Sequence, residues 1–318
     1  FSIQFLPPPC PTLAYHVHIR IAKSYAKYTS NIMLIGEIGT GKEMFAHSIH
    51  RESQRRNHPL VTLNCANISS AALLAELQGY ENGYGPFGNK GRKEGAFELA
   101  HGGTLFLDKV EVAPLEVQAV LLRILEDKEV RRMGGDHVIP VDVRIIASTN
   151  PAIFEEIEDE NFLEELYYML GVLTLEIPPL RERAGDSLLL CNEWFHHFFG
   201  ADYRKYEDKI LAIEQHMEGY NWKGNVRQLS NFVERVGVLL TNGVAVEDIL
   251  STLPRLKPKE TEPKETDVTL ERWSREAIIK ALSVNQLNVS RTARLLKCSR
   301  STLYKKMEEF NIRITNMK

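Results

Sequence analysis

"NIMLIGEIGTGKEMFAHSIHRES", Asn31 to Ser53, decides the fold. Asn31 to Ile35 reads as a strand, the glycines follow as a turn, and from about Lys42 the apolar residues recur at helical spacing. Glycines at positions 36, 39 and 41 let the backbone turn sharply, so that its N–H groups and the helix N-terminus can surround phosphate oxygens while Lys42 reaches the outer phosphates. The residues of this reading are Gly36, Glu37, Gly39, Thr40, Gly41, Lys42 and Glu43, with Glu43 standing where many such loops carry Ser or Thr. A glycine-rich strand-to-helix turn without a ligand is the plainer alternative. Strand, glycine spacing, lysine and helix in this order favour phosphate.

Two further strands extend the pattern. "GGTLFLD" ends at Asp108, which could hold Mg²⁺ through its water shell if a nucleotide binds, and "VDVRIIASTN" ends at Asn150. A buried strand explains the apolar residues of each run but not why each stops on a polar group at the sheet edge where ligands meet parallel strands. Between them, Leu115 to Glu126 has the period of an amphipathic helix. Alternating strands and helices predict an α/β fold with a parallel sheet.

With 318 residues, 43% hydrophobic and 25% charged, the chain can bury one large core and carry two or three domains. No apolar run approaches the roughly 20 residues that span a bilayer, so a cytoplasmic protein without membrane contact is expected. The cysteines at 10, 65, 191 and 298 lack metal-ligand spacing and read as free thiols. Phe1 in place of Met predicts a longer parent chain with a segment, such as a sensor, ahead of it.

Charge is unevenly spread. From Asn288 to Lys318 there are eight Lys or Arg against two Asp or Glu, which leaves a net of −9 on the first 287 residues. The basic end faces a polyanion or is a solvated tail. Just before it, "LKPKETEPKETDVT" (Leu256 to Thr269) is almost free of apolar residues and reads as a flexible linker.

The runs "GEIGTGKE", "LNCANI", "ELQGYENG", "GAFELAHGGTLFLD", "VQAVLLRILEDKEVRRMGG", "VDVRIIASTN", "IPPLRER" and "YNWKGNVRQLSNFVER" resemble, in order and spacing, the AAA+ domain of bacterial enhancer-binding proteins, the NtrC-type activators of sigma-54 RNA polymerase. The resemblance covers about residues 20 to 254. It implies an AAA+ P-loop core over residues 1–179 with a five-stranded sheet, a helical lid over 180–254, a linker over 255–269 and a small all-α domain over 270–318. It makes Glu43 the usual residue after the loop lysine, Asn150 a first sensor, Arg227 a second-sensor arginine at the γ-phosphate and Asn64 the switch for a catalytic glutamate. ATP or ADP, with or without Mg²⁺, is the cofactor it implies.

The departures are specific. The family has Glu after the strand-ending Asp, polarising the attacking water, and this chain has Lys109, a donor that cannot take a proton from water while charged. Its ammonium could instead lie near the phosphates and partly replace magnesium. "FLEELYYML" resembles a segment whose two arginines reach the neighbouring subunit's nucleotide, with Leu163 and Met169 in their places. Such an arginine is worth about 10³ to 10⁵ in rate where it has been isolated. "GYGPFG" (Gly83 to Gly88) replaces the family's sigma-54-contacting loop, either as a turn of no special role or as an exposed Phe87 anchor. A degenerate ATPase, not an enzyme, is therefore expected.

At the C-terminus, "NVSRTARLLKCSRSTLYKKMEEFNI" closely resembles a Fis-type helix-turn-helix, with Asn288 or Ser290 and then Ser299 as caps and Leu270 to Val284 as a preceding, dimer-forming helix. Its second helix would enter the major groove, with Arg300, Ser301, Thr302, Tyr304, Lys305 and Lys306 facing bases or phosphates and Leu303, Met307 and Phe310 facing inward. Arg291 and Arg294 read as backbone contacts or solvated charges. A basic three-helix module that binds protein is the alternative.

The expected whole is a DNA-binding transcription regulator with a degenerate AAA+ domain that binds ATP or ADP without turnover. It would sit on a palindromic operator as a dimer or higher oligomer and work with the housekeeping polymerase, as relatives regulating the dihydroxyacetone-kinase operon do. A slow ATP-hydrolysing sigma-54 activator and a scaffold docking a signalling protein are the competing readings.

Overall fold

A computed structural model of the chain describes residues 13–66, 68–84, 91–183, 185–217, 220–252, 275–284 and 300–310, with Val289, Thr292, Ala293, Leu296 and Ile312 besides. The linker, the cap positions 288, 290 and 299, residues 85–90 of the altered loop, Leu270 to Ser274, Arg291, Arg294, Leu295, Cys10 and Cys298 lie outside the described residues, as do the side chains of Arg300 and Ser301.

The chain divides into a unit over Phe1–Leu256 and a second over Lys257–Lys318. In the first, strands β1 (Ile32–Ile35), β2 (Leu60–Asn64), β5 (Thr104–Asp108), β8 (Arg144–Thr149) and β9 (Leu173–Glu176) form one parallel sheet in the order β2-β5-β8-β1-β9. Two short antiparallel pairs lie outside it, β3 (Gly79–Tyr80) with β4 (Lys93–Glu94) and β6 (Glu129–Arg131) with β7 (Val138–Pro140). β1 is buried along its whole length and β8 likewise, because helices cover both faces of the sheet and a central strand has no polar side.

One face packs on α3 (Ser70–Gln78), α4 (Ala96–Leu99), α5 (Leu115–Asp127), α6 (Ile153–Glu158) and α7 (Glu164–Leu170) through a core that includes Leu73, Phe97, Leu121, Ile153 and Leu166. The other face packs on α1 (Leu13–Ala26), α2 (Lys42–Arg51) and the lid helices α8 (Asp186–Phe199), α9 (Glu207–Gln215), α10 (Asn225–Thr241) and α11 (Val246–Thr252). The lid thus shares a core with the sheet, Phe195, Trp222 and Leu229 clustering with Ile32, Leu34 and Phe106. Among the described residues no helix is long and apolar enough to cross a membrane.

Two buried arginines hold the frame. Arg144, 2% exposed, donates to the carbonyls of Tyr25 (2.9 Å), Ala26 (3.3 Å) and Ser30 (3.2 Å), so a strand side chain caps the C-terminal end of α1, where a cation meets the negative end of the helix dipole. Arg132 pairs with Glu98 and with Glu81 (2.8 Å), and the ring of Tyr84 covers Gly134, where a Cβ would meet it at 2.0 Å. These contacts fix the stem from which residues 85–90 depart.

In the second unit, α12 (Arg275–Val284) and α13 (Arg300–Glu309) enclose a small core of Ile278, Leu282, Ala293, Leu296, Leu303, Met307 and Ile312. Leu303 and Met307 face inward, and Phe310 is half-buried against them.

Candidate functional site

The parallel register brings the C-terminal ends of β1, β2, β5 and β8 to one edge, and with them Gly36 to Lys42, Asn64, Asp108 and Asn150. Gly39 and Gly41 have φ of 80° and 98°, which an L side chain rarely adopts. Thr40 donates from Oγ1 to the Glu37 carbonyl at 2.8 Å. Lys42 Nζ donates to the carbonyls of Gly36 (2.6 Å) and Glu37 (3.0 Å), so the ammonium spans the mouth of the loop. Burial pushes the Lys42 pKa down and Lys109 and Arg227 push the same way, against Glu111 and Asp108. Glu43 stands apart, exposed on the first turn of α2.

At the end of β5, Asp108 accepts from Asn64 Nδ2 (2.8 Å) and from Ser148 Oγ (2.5 Å), and Ser148 in turn accepts from the Lys109 amide (3.1 Å). Lys109 is left-handed, with φ 60° and ψ 55°, and begins a 3-10 turn over Val110–Val112. That turn delivers a residue the sequence reading missed. Glu111 is half-buried, and its Oε1 accepts from Asn150 Nδ2 at 2.7 Å, while Asn150 Oδ1 accepts from the Ala152 amide at 2.7 Å. Its signal was present as a carboxylate three residues after Asp108 in "LDKVEV", but a 3-10 turn has no periodicity to show which way it points.

The lid is stitched to the loop. The Val226 amide donates to the Gly39 carbonyl (2.9 Å), and a Cβ on Gly39 would lie 2.3 Å from the Gly224 carbonyl oxygen. Fully buried Asn225 accepts from the Leu180 amide (2.7 Å) and donates to Glu37 Oε2 (3.1 Å) and the Ile38 carbonyl (3.0 Å). Arg181 forks onto both oxygens of Glu37 at 2.8 and 2.6 Å, and Arg183 donates to the Thr40 carbonyl at 3.1 Å. The Glu37 side chain is therefore committed to the lid, and the Arg181 guanidinium holds its carboxyl below the usual range. Arg227 lines a cleft of about 540 Å³ with Ile38, Gly224, Gln228, Asn231 and Arg235, beside the loop.

Leu163 and Met169, the positions that the sequence resemblance sets against a pair of arginines, carry no charge. Leu163 is half-buried against the sheet core at the start of α7, and Met169 is half-buried near its end, its carbonyl accepting from Asn31. On α13, Tyr304 and Lys305 are exposed, as is Thr302. Lys306 is drawn back along the helix, 2.7 Å from Glu309 and 5.9 Å from the centre of the Phe310 ring.

A loop of positive-φ glycines, a lysine at its mouth and a lid arginine fit the phosphates of a nucleotide. For magnesium, Asp108 at the end of β5 would fit through the ion's water shell, while Glu43 is exposed on the first turn of α2.

Sheet order, loop and lid define an AAA+ nucleotide domain, followed by a helix-turn-helix unit. Family profiles agree: "Sigma-54 interaction domain" matches residues 12–176, "AAA+ ATPase lid domain" 181–266 and "Bacterial regulatory protein, Fis family" 269–310. The chain belongs to the sigma-54 activator family. It is 38% identical over 92% of its length to a signal-transduction and transcriptional-control protein of Clostridium beijerinckii, covering 46% of that protein. It is 37% identical to a sigma54-dependent transcriptional activator, SfnR, of Pseudomonas putida, over 80% of this chain and 74% of that one. NtrX of Brucella abortus, solved with ATP and with ADP, has a TM-score of 0.63 to this fold at 31% and 32% identity, covering 94% of this chain and 68% of NtrX. The chain spans about half the length of the first curated relatives it matches.

Proposed function

We propose that the chain is the nucleotide-binding and DNA-binding part of a transcription regulator whose AAA+ domain takes ATP or ADP as a conformational ligand without turning it over. The observation that carries this is Lys109. At the end of β5, where the family's glutamate would accept a proton from water, stands a cation in a left-handed turn, and the finger positions Leu163 and Met169 are apolar. The retained loop, Lys42, Asp108 and Arg227 support binding, as does the likeness to a protein solved with both nucleotides. Magnesium, if bound, would supply charge neutralisation for the phosphates at Asp108.

The basic C-terminal helix supports double-stranded DNA as partner, with a palindromic operator, a dimer or higher oligomer and the housekeeping polymerase as the finer reading. The dihydroxyacetone-kinase regulators are its model, and a scaffold that docks a signalling protein is a separate, competing reading. The family profile and the likeness to SfnR favour a second reading, slow hydrolysis coupled to sigma-54 polymerase. Transcription in vitro from the chain's own promoter with each polymerase form, with ATP or a non-hydrolysable analogue, separates them. Activation with the housekeeping form that does not need hydrolysable ATP is expected; activation that requires both sigma-54 and hydrolysable ATP sinks the first reading.

A further inference from the structure

The nucleotide edge carries one carboxylate that the proposed function leaves unused. Glu111 Oε1 is fixed by Asn150 Nδ2, while Oε2 is buried and, among the described residues, lacks a hydrogen-bond partner of good geometry. The backbone of Glu111 itself, the Thr149 hydroxyl and the backbone of Asn150 lie close enough to ease its ionisation, although that hydroxyl donates to the Asn150 carbonyl at 3.1 Å. Lys42 from α2 attracts Glu111, and the Cys65 thiol beyond β2 is pushed up to about 12 by burial first and then by Asp108 and Glu111. Burial is the main influence on Glu111 itself and pushes its pKa up.

In a P-loop site the loop lysine reaches the β- and γ-phosphates, and Asn150 follows β8 at the same sheet edge, beside the strand that leads into the loop. Glu111 holds a carboxylate against Asn150 and within electrostatic reach of Lys42. It occupies the Asn150 amide donor, so that donor is not open to a phosphate, and it sets a like charge against an incoming one.

We propose that Glu111 makes this site selective for a nucleoside diphosphate over a triphosphate, its carboxylate standing where the γ-phosphate would go. The proposal rests on the reading that the domain binds nucleotide without turnover, and it names the form that is held. It also gives the retained lysine a resident counter-ion.

The test is calorimetric titration of the full chain with ADP, ATP and a non-hydrolysable ATP analogue, each with and without Mg²⁺, for the wild type, Glu111→Gln and Glu111→Ala. The wild type is expected to bind ADP about tenfold or more tighter than either triphosphate. Glu111→Gln, which keeps the shape and can still accept from Asn150, is expected to tighten the triphosphates until the preference is about threefold or less, with ADP little changed. Glu111→Ala should do the same if the glutamine variant fails to fold. Equal wild-type affinity for ADP and ATP overturns the proposal. So does a Glu111→Gln variant that binds triphosphate more weakly only with Mg²⁺, which makes Glu111 a metal ligand, or one that abolishes a phosphate release seen in the wild type, which makes it a general base. Binding of neither nucleotide fails differently, because it removes the nucleotide reading itself.

Discussion

Glu37 and Glu214 show how two carboxyls of one domain titrate with opposite sign. Glu37 is held below its ordinary 4.5 first by the Arg181 hydrogen bonds, so its contribution is present above that value and is lost as pH falls through its lowered folded pKa. Glu214 is raised by burial, and its Oε1 is buried with no hydrogen-bond partner among the described residues. The folded state then holds its proton longer than the unfolded chain does. Stability from Glu214 is full below 4.5 and is lost as pH rises through the raised folded pKa. Glu214→Gln should therefore flatten the fall in melting temperature as pH rises from 4.5 through the raised folded pKa, and Glu37→Gln the fall as pH drops from 4.5 through the lowered one. A variant curve parallel to the wild type on the named side would count against the assignment. At Asn225, Ala would leave the Leu180 amide and the Ile38 carbonyl unpaired and place Ala at a φ of 51°. The cost is about 3 kcal/mol, to be read from urea unfolding.

Among the elements, α1 and α13 depend on contacts their own sequences do not display. The C-terminal carbonyls of α1 are met by Arg144, which is 118 residues away from Ala26 in the chain. Arg144→Met keeps the bulk and drops the donors, and should destabilise the first unit by about 2–4 kcal/mol, seen as a fall of several degrees in melting temperature. On α13, Lys306 is already paired with Glu309, whereas Lys305 is exposed. Lys305→Ala should weaken DNA binding, measured by fluorescence anisotropy, more than Lys306→Ala does and should lower the salt slope by about one. Equal losses would mean that the Lys306 pairing opens on DNA. The strands were legible because central strands of a parallel sheet carry near-continuous apolar runs, and the helices because their apolar face repeats. The strand run around Arg144 gives no sign of its partners at the end of α1, and the role of Asn225 in "KGNVRQL" was hidden because its side-chain partners all lie over 40 residues away.

For the molecule as a whole, an ATPase cycle needs base and fingers together. Lys109→Glu alone should leave phosphate release at baseline, since Leu163 and Met169 still offer no cation to a neighbouring nucleotide. A single-substitution recovery to the turnover of active AAA+ proteins would show that fingers are not needed here. The candidate site was legible wherever a residue type announces its chemistry, as with Lys42 and Asp108. It was illegible wherever position decides, as with Glu111, which only the 3-10 turn after Lys109 carries to Asn150.

The seam between Gly39 and the lid has a consequence for how such chains are read. With the Gly224 carbonyl where a Cβ would go and the Val226 amide bonded to the loop, a side chain at position 39 would unseat the lid whether or not any nucleotide is ever cleaved. The spelling of the phosphate loop is thus kept by architecture as well as by chemistry. Such a loop would be kept even by a chain that cleaved no nucleotide, so its glycines by themselves do not identify a working motor.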